Sequence, residues 1–311
     1  MTLAAPFPYF GGKRRAASRI WEALGDPSGY VEPFAGSAAV LLARPSFKGR
    51  RVETLNDADG WLVNTWRAIQ LSPDAVAAAA WGPVAEIDYH ARLAWLQQRR
   101  TPDLVAWMEG DPEAHDAKAA GWWLYVLACG IGDPFGPGPW RVVDGRLRKL
   151  PHLGDAGQGV NRKLPHLGDA GRGQLEQYMR QLSDRLRRVR ITCGSWERVV
   201  KPSVTRSGAG GDGSRAIFLD PPYATSGDLY AESSKGVALA AQEWCLTASH
   251  GLRVILCGYD AEHDALLAHG WTVTEGKSGG GAGYSVNPTN GRRERLWLSP
   301  ACIGTTQPSI L

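Results

Sequence analysis

The chain has no apolar run long enough to cross a bilayer. Its first residues, Met1-Thr2-Leu3-Ala4-Ala5-Pro6, lack the charged start and apolar core of a secretory signal. Cysteine is scarce: Cys129, Cys193, Cys245, Cys257 and Cys302 make an odd set with no close pairing. That argues against a disulfide frame or a zinc site and predicts reduced thiols in a cytoplasm. No cysteine follows a proline, so a Pro-Cys nucleophile for cytosine C5 chemistry is missing. There is no Walker lysine-serine pair, which disfavours a phosphate-cradling NTPase. His152 and His166 have no flanking ligand pattern, so no metal is expected.

What is present describes a soluble globular protein of one large domain or two smaller ones. Of 311 residues, 43% are hydrophobic and 21% charged. The net charge is +4, but residues 141–190 hold twelve Lys or Arg against five Asp or Glu, a local +7, so the rest of the chain sums to −3. Such a segment suits a polyanion partner, or else a solvated loop and helix face.

The two ends of the chain alternate in α/β fashion. A glycine-rich turn, Tyr9-Phe10-Gly11-Gly12-Lys13, precedes a helix expected over 14–24. A short strand over 30–33 leads to Ser37, expected to cap a helix over 38–43, and a second strand over 52–55 ends at Asn56-Asp57. A helix is expected over 61–70. Residues 74–130, rich in Ala and Trp, predict more helices. From 130 to 173 the chain turns Gly- and Pro-rich, and Arg148 through Gly157 recurs at Arg162 through Gly171. Two copies are too few for a solenoid, so they predict a duplicated loop. An amphipathic helix with a basic face is expected over 174–188. Strands follow over 189–192, 216–219, 253–257, 271–274 and 295–298, with a helix over 261–269. The expected organisation is a discontinuous catalytic domain, 1–70 and 189–300, with an insert over 71–188 and a tail over 301–311.

The apolar run Ala216-Ile217-Phe218-Leu219 reads as a buried strand, and Asp220-Pro221-Pro222-Tyr223 stands at its carboxyl end, where open α/β sheets bind ligands. A carboxylate and a proline-fixed carbonyl can accept both hydrogens of an amino group while the tyrosine stacks on its ring. The same tetrapeptide is also ordinary turn chemistry. Phe34-Ala35-Gly36-Ser37-Ala38, between a strand and a helix, lets backbone approach a ligand. Asp57 ends the next strand, where a carboxylate can grip ribose hydroxyls or simply cap a helix. Together these make half of a nucleoside-binding unit.

Tyr9 to Lys13, Val31 to Ala38, Leu55-Asn56-Asp57 and Asp220 to Tyr223, in that order, resemble the Dam-type (D12 class) DNA adenine-N6 methyltransferases. The closing Gly291 to Pro300 is similar to the family's end, and the repeat-bearing insert looks more like bacteriophage methylases than chromosomal ones. The resemblance implies a Rossmann-like α/β sheet binding S-adenosylmethionine, with a mainly helical inserted target-recognition domain. Tyr9, Lys13, Phe34, Ala35, Gly36, Asp57 and Asp220 would bind the cofactor. Asp220, Pro221, Pro222 and Tyr223 would hold a flipped-out adenine of double-stranded DNA. Arg148, Lys149, Arg162, Lys163 and Arg172 are the candidate DNA contacts. Two positions depart from the family pattern: Ala38 stands where a second glycine is frequent, and Ser195 where an acid is common.

The expected reaction is direct methyl transfer to N6, with no metal and no covalent enzyme intermediate, inside a bacterial cell if the chain is phage-encoded. Cytosine-N4 methylation uses the same amino chemistry. A catalytically weak DNA-binding protein and an enzyme of free nucleotides are rival readings. No motif fixes an oligomeric state, a recognition sequence, or a role in restriction-modification.

Overall fold

In a computed structural model, the protein is described over residues 3–7, 13–45, 51–99, 103–130, 140–143, 146–149, 172–205, 214–222, 231–276 and 293–303. Its centre is a seven-stranded sheet in the order β5-β2-β1-β6-β7-β9-β8. These strands are β1 (Gly29–Glu32), β2 (Val52–Asp57), β5 (Val189–Cys193), β6 (Arg215–Leu219), β7 (Arg253–Tyr259), β8 (Thr272–Glu275) and β9 (Glu294–Leu298). Every neighbouring pair from β5 to β7 is parallel, while β9 runs antiparallel to both β7 and β8. From β1 the chain moves to β2 on one side and later returns as β6 on the other. The β1/β6 boundary is therefore the topological switch point, where α/β sheets open a crevice at their carboxyl ends.

Both faces of the sheet are covered, and the strand alternation shows it. Ala216, Phe218, Ile255 and Cys257 join one core; Ile217, Leu219, Val254 and Leu256 join the other. The first core also takes α1 (Ala17–Leu24), the single-turn α2 (Ala39–Leu42), α3 (Gly60–Leu71), α4 (Pro73–Ala80), α7 (Ala117–Cys129) and α8 (Arg172–Leu186). Helices α5 (Glu86–Arg99) and α6 (Asp103–Gly110) lie outside α7 and α3 with few buried positions. The second core takes Trp196, Val199 and Val200, and Ala241 and Cys245 of α10 (Ala231–Ala248). Val76, Ala77, Leu124, Leu175 and Met179, all in the expected insert, bury into the same core as α1 to α3.

Several local expectations are corrected. Ser37 does not cap α2: the cap position is Ala38, in a left-handed conformation, with no side-chain cap bond. The residues expected as a helix over 261–269 form a 3-10 turn over Asp264–His269. The basic face expected on α8 loses Arg185, which turns inward onto Glu53 at 2.6 and 2.9 Å and onto the Leu41 carbonyl at 3.1 Å. Within the stretch read as irregular, β3 (Trp140–Val143) and β4 (Arg146–Lys149) pair as an antiparallel ribbon. Helix α9 (Pro202–Thr205) and the unforeseen α10 flank β6 in the chain. Most of the 14-residue repeat lies outside the described residues.

Candidate active site

The carboxyl ends of β1 and β2 are stitched together by backbone and side-chain hydrogen bonds. Ala35 N–H donates to the Asn56 carbonyl at 2.8 Å, and Gly36 N–H donates to Asp57 Oδ2 at 3.0 Å. Asn56 is buried, and its amide donates to the carbonyls of Pro33 at 3.0 Å and Gly194 at 2.9 Å. One side chain thus spans the ends of three adjacent strands, β1, β2 and β5. Gly36 has φ 45°, a region that favours glycine, and its carbonyl accepts from Trp66 Nε1 at 3.0 Å. The ring of half-buried Phe34 lies 5.9 Å from that of Trp196, so the aromatic floor of the turn is braced from behind.

Asp57 is not the helix cap. That role falls to Asp59, whose Oδ1 accepts from Trp61 N–H at 2.9 Å. Asp57 Oδ1 accepts from Asp59 N–H at 3.0 Å. Burial pushes the Asp57 carboxyl above its ordinary value, and the backbone N–H groups of Asp59 and Gly36 pull it partly back. Each carboxylate oxygen has a further lone pair, so the group can still accept from a ligand's hydroxyls.

Across the switch point stands a buried charge cluster. Lys13 Nζ lies 2.7 Å from Asp220 Oδ2, just past the end of β6, and 2.8 Å from Glu294 Oε1, the first residue of β9. β9 is antiparallel, so its first residue pairs with Tyr259 at the end of β7 and reaches the same edge as Asp220. Burial alone would lower the Lys13 ammonium. The carboxylates of Asp220 and Glu294, helped by the nearby Cys257, outweigh it and hold the amine protonated. The side chains of Lys13 and Glu294 are 2% and 3% exposed, that of Asp220 18%. Asp220 is therefore the member that opens outward. Among the described residues the cluster is one cation held between two carboxylates. Pro221 is buried and Pro222 exposed.

Near the same edge, Glu32 is buried beneath α2. Its Oε2 accepts from Tyr30 Oη and Leu41 N–H, both at 3.2 Å. Burial pushes this carboxyl up to about 8, with the Asp220 charge adding to the rise.

The fold thus gathers Phe34, Ala35, Gly36 and Asp57 on one side of the switch point, and Lys13, Asp220, Pro221 and Pro222 on the other. Tyr9, Tyr223, Arg162 and Lys163 lie outside the described residues, and Arg148, Lys149 and Arg172 are described by backbone alone. Sequence reasoning gave no role to Glu294, Asn56 or Glu32. Glu294 had no local signal, because its partners are distant in the chain. Among the described residues there is no His/Cys/Asp/Glu group suited to a metal, and no helix is long and apolar enough to cross a membrane.

No curated protein matches the chain. A protein-family model does, described as D12 class N6 adenine-specific DNA methyltransferase, over residues 9–81. That span contains Lys13, the Phe34–Ser37 turn and Asp57; Asp220 and Glu294 lie beyond it, and the fold brings them to Lys13. A mostly parallel seven-stranded sheet with the site at its switch point is consistent with the Rossmann-like fold of such enzymes. Over residues 9–81 the chain is similar to the D12 class N6 adenine-specific DNA methyltransferases, and DNA adenine-N6 methylation is the activity that this family supports.

Proposed function

We propose that the two halves of the site hold S-adenosylmethionine and a flipped-out adenine of double-stranded DNA, and that Asp220 is the catalytic carboxylate. The observation that carries this reading is the Lys13–Asp220–Glu294 cluster, whose half-open member ends the strand at the switch point. Bound S-adenosylmethionine would supply an electrophilic methyl group. The residues present fit it: Gly36 gives close backbone approach, Asp57 suits ribose hydroxyls, and Phe34 offers a braced ring.

The adenine N6 lone pair is delocalised into the ring and is a poor nucleophile. Hydrogen bonds from its two hydrogens to Asp220 and the Pro221 carbonyl would favour a tetrahedral nitrogen and return the lone pair to it. Positive charge grows on that nitrogen as the methyl arrives, and the adjacent Asp220 carboxylate stabilises it. Lys13 fixes the orientation of Asp220, and Glu294 shares the ammonium so that Asp220 keeps acceptor capacity. Tyr9 would lie by the cofactor and Tyr223 would stack on the base, worth about 1–3 kcal/mol. A base inside a duplex is out of reach, so it must leave the stack.

The insert would read DNA through its basic residues. Arg148 and Lys149 lie on β4, in a two-stranded ribbon of the kind the major groove admits. Each of Arg148, Lys149, Arg162, Lys163 and Arg172 that meets a phosphate adds about one unit to the salt slope of binding. The whole would act in the cytoplasm of a bacterial cell, on a phage's behalf if phage-encoded.

The test is Asp220→Ala. Lys13 keeps Glu294 as its partner, so the fold and duplex binding should persist while transfer falls by at least about 10²–10³-fold. Wild-type turnover in this variant removes the assignment.

A further inference from the structure

At the opposite, amino-terminal end of the parallel strands lies a cavity of about 140 Å³ lined by Gly29, Val52, Thr54, Arg190, Ser203 and Arg215, among others. A single water needs roughly 10–15 Å³ on this measure, so the space takes a group the size of a tetrahedral oxyanion. The strand register sets its chemistry. Thr54 on β2 pairs with Arg190 on β5, and Gly29 on β1 pairs with both Val52 on β2 and Arg215 on β6. The cavity-facing residues thus form two rows across four neighbouring strands, with a guanidinium at each outer edge.

Neither guanidinium has a carboxylate partner among the described residues. Arg215 is 8% exposed, and its Nη1 donates to Ser28 Oγ at 2.9 Å and to the Ser214 carbonyl at 3.0 Å, both neutral. Among the described residues it has no carboxylate partner, and it lines the cavity. Asp26, close by in the chain, is already taken by Arg44 at 2.9 Å and Arg51 at 2.6 Å. Arg190 is exposed and likewise forms no ion pair among the described residues. Buried charges are ordinarily paired, because an unpaired one forfeits its hydration without return. The backbone makes room for this one: a Cβ on Gly29 would fall 2.4 Å from Arg215 Cδ.

We propose that Arg190 and Arg215 form a binding site for a single phosphate-type oxyanion, separate from the methyl-transfer site. Arg215 lies five residues before Asp220, which places the two roughly 16 Å apart along β6. Arginine forks match tetrahedral oxyanions with paired N–H donors. The enclosure of Arg215 admits free phosphate or the terminal phosphate of a mononucleotide, and excludes a duplex phosphodiester, which carries a sugar on each side.

The test uses the full chain and reads binding rather than catalysis, so it stands or falls apart from the methyl-transfer reading. Titration calorimetry and melting curves are run with inorganic phosphate, with deoxyadenosine monophosphate and with a short duplex, against chloride at matched ionic strength. Phosphate and the mononucleotide should bind saturably and raise the melting temperature. Equal affinities make free phosphate a sufficient ligand, and a tighter mononucleotide makes the source a nucleotide; both support the site. Arg190→Gln, at an exposed residue without a partner, should leave the ligand-free melting temperature unchanged and weaken phosphate at least about tenfold. Arg215→Gln should abolish the response. No saturable phosphate binding, an unchanged response in Arg190→Gln, or a loss of duplex affinity alone in that variant overturns the proposal.

Discussion

At the carboxyl end of the sheet the buried Lys13 ammonium sits between Asp220 and Glu294; at the amino end the buried Arg215 guanidinium meets, among the described residues, a serine hydroxyl and a backbone carbonyl. One edge surrounds its cation with carboxylates and leaves one of them, Asp220, half-open. The other gives its cation no carboxylate among the described residues. β6 carries both Arg215 and, just past its end, Asp220, so one strand serves two sites of opposite charge: one suits an amino group that gains positive charge, the other an anion. A sheet buried on both faces has its two edges left for such chemistry, and side-chain charge decides which partner each edge suits.

The contrast can be broken most severely at Lys13. Lys13→Met takes from two neighbouring carboxylates the cation they share, a loss of about 3–5 kcal/mol for a buried pair, toward the lower figure because Asp220 is partly open. Urea unfolding should show that drop together with lost methyl transfer. A variant of wild-type stability would mean that the cluster is not what holds this edge.

Glu32 gives a second, pH-dependent handle. Its folded-state pKa is raised, from 4.5 to about 8. Its contribution to stability is therefore fully present below about 4.5 and is lost as pH rises through about 8. The wild-type unfolding midpoint should fall between about pH 5 and 8.5, and Glu32→Gln, which mimics the protonated form, should flatten that fall. Parallel curves for the two proteins would contradict the buried neutral carboxyl.

The smallest effect is expected at Ala38. The sequence departure there reads as one extra methyl group, but Ala38 has φ 49°, so the difference is conformational. A left-handed residue with a Cβ costs about 1–2 kcal/mol, and glycine's greater unfolded-state entropy returns part of that. Ala38→Gly should raise stability by about 0.5–1 kcal/mol in the same urea assay, with transfer unimpaired.

Much of this was legible in the chain. The strand before Asp220 announces itself as an apolar run, and the resemblance orders the motifs around Asp57 and Asp220 along the sequence. Local signals failed where tertiary structure overrode them. Ser37 carries a cap's chemistry, yet the sharp turn places Ala38 at the cap. The first turns of helix α10 contain Ser233, Ser234 and Gly236, which favour a helix weakly or not at all, and the helix shows no clean apolar stripe. Arg185 reads as part of a basic face because nothing nearby in sequence reveals Glu53 beneath it. Glu294 is invisible for the same reason: its bond to Lys13 exists only because β9 runs antiparallel to β7. Long-range charge pairing leaves no periodicity to read.

The central claim is methyl transfer to the amino nitrogen of adenine, made at Asp220. The direct measurement incubates the full chain with S-adenosylmethionine labelled in its methyl group and with two sets of duplexes, one offering adenine and one only cytosine as the amino-bearing target. The account predicts label recovered as N6-methyladenine, and none with Asp220→Ala. Label on cytosine N4, or unchanged labelling in the Asp220 variant, would contradict it.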